Sequence, residues 1–93
     1  KGKTILLVED DPSSQCFMNE ILADTKVKLK ICSTGEEALQ TFQKDQDTSL
    51  VLMDIRLPKE NGLEVTRKIR KINSFISIYF TFIFFKNFSN LIN

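Results

Sequence analysis

Two acidic segments of this chain stand where carboxylate chemistry would be most useful. Glu9-Asp10-Asp11 follows the apolar run Ile5-Leu6-Leu7-Val8, and Asp54 follows Leu50-Val51-Leu52-Met53. Runs rich in Ile, Leu and Val suit strands buried on both faces of a parallel sheet. If the two strands lie side by side in one such sheet, their C-terminal ends share an edge. Carboxylates from distant parts of the chain then meet in one crevice, at the edge where open α/β sheets bind ligands. Clustered carboxylates there can hold a hard cation such as Mg²⁺. They can also perturb one another's proton affinity or offer an oxygen as a nucleophile. A carboxylate attacks a phosphoryl group poorly because both are anionic, so a cation bridging the two is what that reaction asks for.

Each piece is weak alone. An acidic pair at a strand end is most often solvated or the start of a helix. A lone Asp-x-x-x-Pro is most often turn chemistry, because Pro presets φ. The pieces gain meaning from their order. Val8-Glu9-Asp10-Asp11-Pro12, then Met53-Asp54-Ile55-Arg56-Leu57-Pro58, then Asn61-Gly62 resemble the receiver domain of two-component response regulators over residues 3–73. The resemblance implies a flavodoxin-like three-layer α/β/α sandwich whose parallel sheet has the order 2-1-3-4-5. It implies Asp54 as phosphoacceptor, taking a phosphoryl group from a histidine kinase or a histidine phosphotransfer protein with Mg²⁺ bound. Asp10, Asp54 and the backbone carbonyl of Arg56 would hold the metal, with Glu9 on a metal-bound water. Asp11 falls outside the acidic pair and adds only negative field. Pro58 and Gly62 would shape the loop after the acceptor.

Thr4–Val8 reads as a buried strand. Asp11 is a plausible N-cap and Pro12 suits the first helical position. Phe17, Met18, Ile21 and Leu22 recur at helical spacing, giving a helix to about Ala23. Val27, Leu29 and Ile31 alternate with Lys26, Lys28 and Lys30, the pattern of a half-buried edge strand with a charged outer side. Ser33-Thr34-Gly35 opens a second helix with Glu36 and Glu37 at its positive end and Ala38, Leu39 and Phe42 as its buried stripe. A polar loop from Lys44 to Thr48 leads to the strand that ends on Asp54. A third helix follows Gly62, with Val65, Ile69 and Ile72 inward and Arg67, Lys68, Arg70 and Lys71 on a solvated face.

The chain departs from the family's pattern after residue 73, so 1–73 reads as the receiver core and 74–93 as a divergent aromatic tail. Ser74–Asn93 holds six of the eight Phe and the lone Tyr, but one charged residue, Lys86. A fourth strand is expected at roughly Ile76–Phe82. Thr81 falls within a residue or two of the family's switch hydroxyl. The family's fifth strand, its Lys and its last helix have no counterpart here, and Lys86 stands too close to serve as that Lys. Three readings of the tail compete: a truncated or frame-shifted end, a strand that pairs with another chain across an open sheet edge, and a membrane segment. The eleven apolar-rich positions Phe75–Phe85 fall short of the roughly twenty that span a bilayer.

Composition narrows the function. Ninety-three residues make one domain at most, and a net charge of +1 gives no field for nucleic acid or a membrane surface. No helix-turn-helix candidate is present, so direct DNA binding is not expected. The chain has no His, which excludes His-based metal sites and a phosphohistidine donor role. Cys16 and Cys32 lack CxxC spacing and read as free thiols of a reducing, cytoplasmic compartment. No signal peptide is visible, and the missing initiator Met suggests that residues precede Lys1. The expected role is a phosphoacceptor signalling domain, not an enzyme acting on a separate substrate. The alternative is a pseudo-receiver that keeps the acidic pocket as a non-switching interaction or dimerisation module, with a homodimer through the exposed sheet edge. A Mg²⁺-dependent phosphatase would need a second Asp where Arg56 stands.

Overall fold

The computed structural model describes residues 2–81. Strands and helices alternate along them: β1 (Thr4–Val8), α1 (Pro12–Leu22), β2 (Lys28–Cys32), α2 (Gly35–Lys44), β3 (Thr48–Met53), α3 (Gly62–Ile72) and β4 (Ser77–Phe80). The strands pair in parallel in the order β2-β1-β3-β4. This is the flavodoxin-like arrangement, with the lysine-bearing strand at one edge as its alternation requires. Val8 is level with Cys32 and Met53, and Met53 with Phe80, so all four strands end at one line.

Each helix starts where a side chain can take up its orphan N–H groups. Asp11 caps α1, its Oδ2 accepting the Ser14 N–H at 3.0 Å, and Pro12 follows at the first helical position. Thr34 caps α2 by accepting the Glu37 N–H at 3.1 Å, while the Glu37 carboxylate reaches back to the Ser33 N–H at 2.8 Å. That reciprocal pairing satisfies two donors at once. Asn61 caps α3 through the Leu63 N–H at 2.8 Å.

The two faces of the sheet are covered unequally. Leu6, Val8, Val51 and Met53 pack against Ala38 and Phe42 of α2 and Val65 and Ile69 of α3, all of them buried. On the opposite face, Leu7 meets Met18 of α1, ringed by half-buried Phe17, Leu22, Leu29, Ile31 and Leu52.

The second strand begins at Lys28 rather than Val27 and runs to buried Cys32. Lys30 is not on a charged outer side: it is half-buried, and its ammonium pairs with the Asp45 carboxylate at the end of α2. The aliphatic stem of lysine lets the chain cover apolar surface while its head meets a partner. Ile21 and Ile72 stay 49% and 38% exposed, because they lie at the rim of their helices' apolar stripes. Arg70 is not simply solvated. Its guanidinium donates to the carbonyls of Ser74 and Ile76 and closes the turn into β4. Ile76 precedes β4 and is buried in the core, whereas Phe82, the expected strand end, and Lys86 lie outside the described residues. No helix among the described residues is long and apolar enough to cross a membrane.

Candidate phosphoryl and metal site

Three backbone hydrogen bonds carry the sheet ladder one residue past the strand ends. Glu9 N–H donates to the Cys32 carbonyl at 2.9 Å, Asp54 N–H to Val8 at 2.9 Å, and Thr81 N–H to Met53 at 3.0 Å. Each of these residues is thus held by the neighbouring strand, so their side chains start from fixed points along one edge. Carboxylate oxygens of Glu9, Asp10 and Asp54 come within 4.8 Å of one another. Glu9 and Asp54 have no exposed surface, and Asp10 is half-buried. Ionised carboxylates gathered away from water repel one another and lose hydration, a cost that a bound cation would offset.

The hydrogen bonds orient these groups. Asp54 Oδ1 accepts the Arg56 N–H at 3.0 Å, while its Oδ2 is buried with no hydrogen-bond partner. The hydroxyl of Thr81, 5% exposed at the end of the adjacent strand, is likewise buried and unpartnered. Glu9 Oε2 accepts the Asp11 N–H at 3.0 Å. Asp11 itself turns toward α1, where its Oδ2 also accepts the Ser14 hydroxyl at 2.9 Å, so it serves as a cap.

The segment after Asp54 is a closed loop. Arg56 and Asn61 form a one-residue antiparallel bridge, the Gly62 N–H donates to the Ile55 carbonyl at 2.8 Å, and buried Leu57 anchors the loop in the core. Gly62 lies so close to the Asp54 carbonyl and Ile55 Cα that a Cβ there would collide with main chain. Pro58 is exposed on the outside of the loop.

The donors fit a hard cation. They are all oxygens, clustered on one edge, and one buried carboxylate oxygen lacks a hydrogen-bond donor. Glu9, Asp10 and Asp54 are brought together, Arg56 reaches Asp54 through its N–H, and Thr81 stands one strand away. Sequence reading missed Gln15, whose side-chain amide donates to the Glu9 carbonyl at 2.6 Å. The only signal for it is weak: an amide one turn into a helix that begins at Asp11-Pro12.

The model of the response regulator receiver domain matches residues 5–83. The oxidative stress response two-component system protein SSK1 of Candida albicans is 36% identical over 69 residues, covering 74% of this chain and 10% of that protein. The TorCAD operon transcriptional regulatory protein TorR of Escherichia coli is 33% identical over 67 residues, covering 72% of this chain and 29% of that one. The chain therefore spans a minor part of these curated relatives. The solved structure of the response regulator TrrA from Thermotoga maritima in complex with Mg²⁺-BeF superposes with a TM-score of 0.75 at 36% identity, covering 82% of this chain and 65% of that one. A chain from the complex of the histidine kinase ThkA with TrrA gives 0.76 at 35% identity, covering 84% and 66%.

Proposed function

This chain belongs to the response regulator receiver domain family, a signalling domain of two-component systems, and we propose how its own residues carry the chemistry. Asp54 is the phosphoacceptor. Its Oδ1 is held by the Arg56 N–H, which leaves Oδ2 to attack. The single observation that carries this reading is that Oδ2 is buried, unbonded and next to two further carboxylates. In the reaction an O–P bond forms at Oδ2 while the P–N bond of a phosphohistidine breaks. The imidazole leaves with the electron pair, and the product is an aspartyl phosphate. Asp10, Asp54 and the Arg56 carbonyl would hold Mg²⁺, with Glu9 on its water. When bound, the ion offsets the anionic charge that gathers between carboxylate and phosphoryl group. The Thr81 hydroxyl would donate to a phosphoryl oxygen, making it the switch residue.

The partner by this reading is a histidine kinase or a histidine phosphotransfer protein. Support comes from the related TrrA, which is described in complex with the histidine kinase ThkA. A net charge of +1 favours no nucleic acid partner, and the free thiols of Cys16 and Cys32 suit the cytoplasm. The test is acetyl phosphate with Mg²⁺, read by intact mass. The chain should gain one phosphoryl group, and Asp54→Asn none; labelling that survives the substitution would move the acceptor elsewhere.

A homodimer through the edge of β4 has separate support. Among the described residues β4 pairs on one side only and carries no charge, and its Tyr79 and Phe80 are 61% and 43% exposed. Uncharged open edges invite pairing with another strand. Sedimentation should show a concentration-dependent dimer that Tyr79→Lys weakens. A monomer at every concentration would remove this part of the proposal.

A further inference from the structure

We propose that Gln15 is a positioning residue for the cation site: its side-chain amide ties the Glu9–Asp11 bend to the start of α2 and thereby sets where Asp10 stands. The inference rests on reading Glu9, Asp10 and Asp54 as cation ligands.

Gln15 lies one turn into α1, its own N–H donating to the Asp11 carbonyl at 3.0 Å. Long side chains on a helix lean back toward its N-terminus. That lean brings the Gln15 amide over the bend that precedes the helix. Nε2 donates to the Glu9 carbonyl at 2.6 Å and to Ser33 Oγ at 3.3 Å. A main-chain carbonyl can only accept, so the nitrogen must be the atom that faces it. Glu9 is then gripped at three points: its N–H on the Cys32 carbonyl, its carbonyl by Gln15, and its carboxylate on the Asp11 N–H.

Asp10 is the next residue, and its direction follows from the peptide plane that Gln15 holds. Ser33 makes a firm anchor because its N–H is engaged by Glu37 in the capped start of α2. One amide thus connects the loop after β1 to the loop after β2, on the side of the cluster away from Asp54. Held by these two bonds, Gln15 is half-buried instead of extending into solvent.

Magnesium demands near-octahedral geometry, so small errors in ligand position cost affinity. Groups that orient metal ligands typically change metal affinity by about 10–100-fold when removed. Gln15→Met keeps the length and removes the donor, and it should raise the Mg²⁺ Kd about tenfold. The experiment is a Mg²⁺ titration by calorimetry of the wild type, Gln15→Met, Asp10→Asn and Leu22→Ala, with melting in EDTA for each. Leu22→Ala loosens the same helix at its far end and is the control for general loosening.

A Kd raised in Gln15→Met well beyond that in Leu22→Ala supports the assignment. An unchanged Kd overturns it, and so does a rise that Leu22→Ala matches, because Gln15 would then be a brace of the helix alone. If the wild type binds no Mg²⁺, or Asp10→Asn binds as well as wild type, the reading of the cluster itself fails. That outcome is distinct from a wild type and a Gln15→Met variant that bind equally.

Discussion

Leu6 and Leu7 are neighbours on the central strand β1, and neither has exposed surface, yet their surroundings differ. Leu6 points into the layer closed by α2 and α3, where the buried cluster runs continuously from Phe42 to Ile76. Leu7 points toward α1, where Met18 is its one buried companion and Leu29, Ile31 and Leu52 remain half-exposed. Among the described residues the hydrophobic core is therefore one-sided. The acidic site does not depend on that imbalance. Glu9, Asp54 and Thr81 are fixed by ladder bonds in the plane of the sheet, so the edge can be ordered while one face is thinly covered.

The largest effects are expected from substituting the two leucines. Leu6→Ala opens a cavity among neighbours locked by two helices and should cost about 4 kcal/mol, near the upper end of such changes. Leu7→Ala should cost about 2–3 kcal/mol, because half-buried neighbours can collapse or admit water. Urea denaturation of both variants measures the difference; an equal cost, or a larger one at Leu7, would mean the second face is as well packed as the first.

A smaller effect is expected where the well-packed layer meets the site. Gly62→Ala drives a methyl group into the Asp54 carbonyl, which is main chain and cannot swing aside. It should cost about 1–3 kcal/mol, with slower phosphoryl transfer to Asp54 as the proposed acceptor. Full stability and an unchanged rate would show that the start of α3 can retreat without moving Asp54.

The smallest effect concerns the rim of the same layer. The Lys30 ammonium, and next the Asp47 N–H, hold the Asp45 carboxyl below its ordinary value. A carboxyl depressed on folding stabilises the protein above its unfolded value of about 3.9, and that stabilisation fades as pH falls through the lower folded value. Wild type should therefore lose stability more steeply than Lys30→Met as acid is added below about pH 4. Parallel acid limbs would show that the pair contributes nothing.

Much of this molecule is legible in local pattern. The apolar runs before Glu9 and Asp54, the cap at Asp11 and the start of α3 after Asn61 follow from residue type and period, which report the face a side chain takes. Period reports nothing about what that face meets. Lys30 and Arg70 carry the same signal as their solvated neighbours, yet one pairs with Asp45 and the other closes the turn to Ile76. Ile21 and Ile72 satisfy the helical spacing and still face water, since the width of a buried stripe depends on the element packed against it.

Short windows of residue types are enough to specify the alternation of strands and helices, the lysine-bearing edge strand β2 and the candidates Glu9, Asp10 and Asp54. The folded arrangement adds that those carboxylates converge, that Thr81 stands one strand away at the same edge, and that Gln15 grips the Glu9 carbonyl. Those relations depend on strand order, register and helix rotation. Long-range packing sets all three, and no window of neighbouring residues contains them.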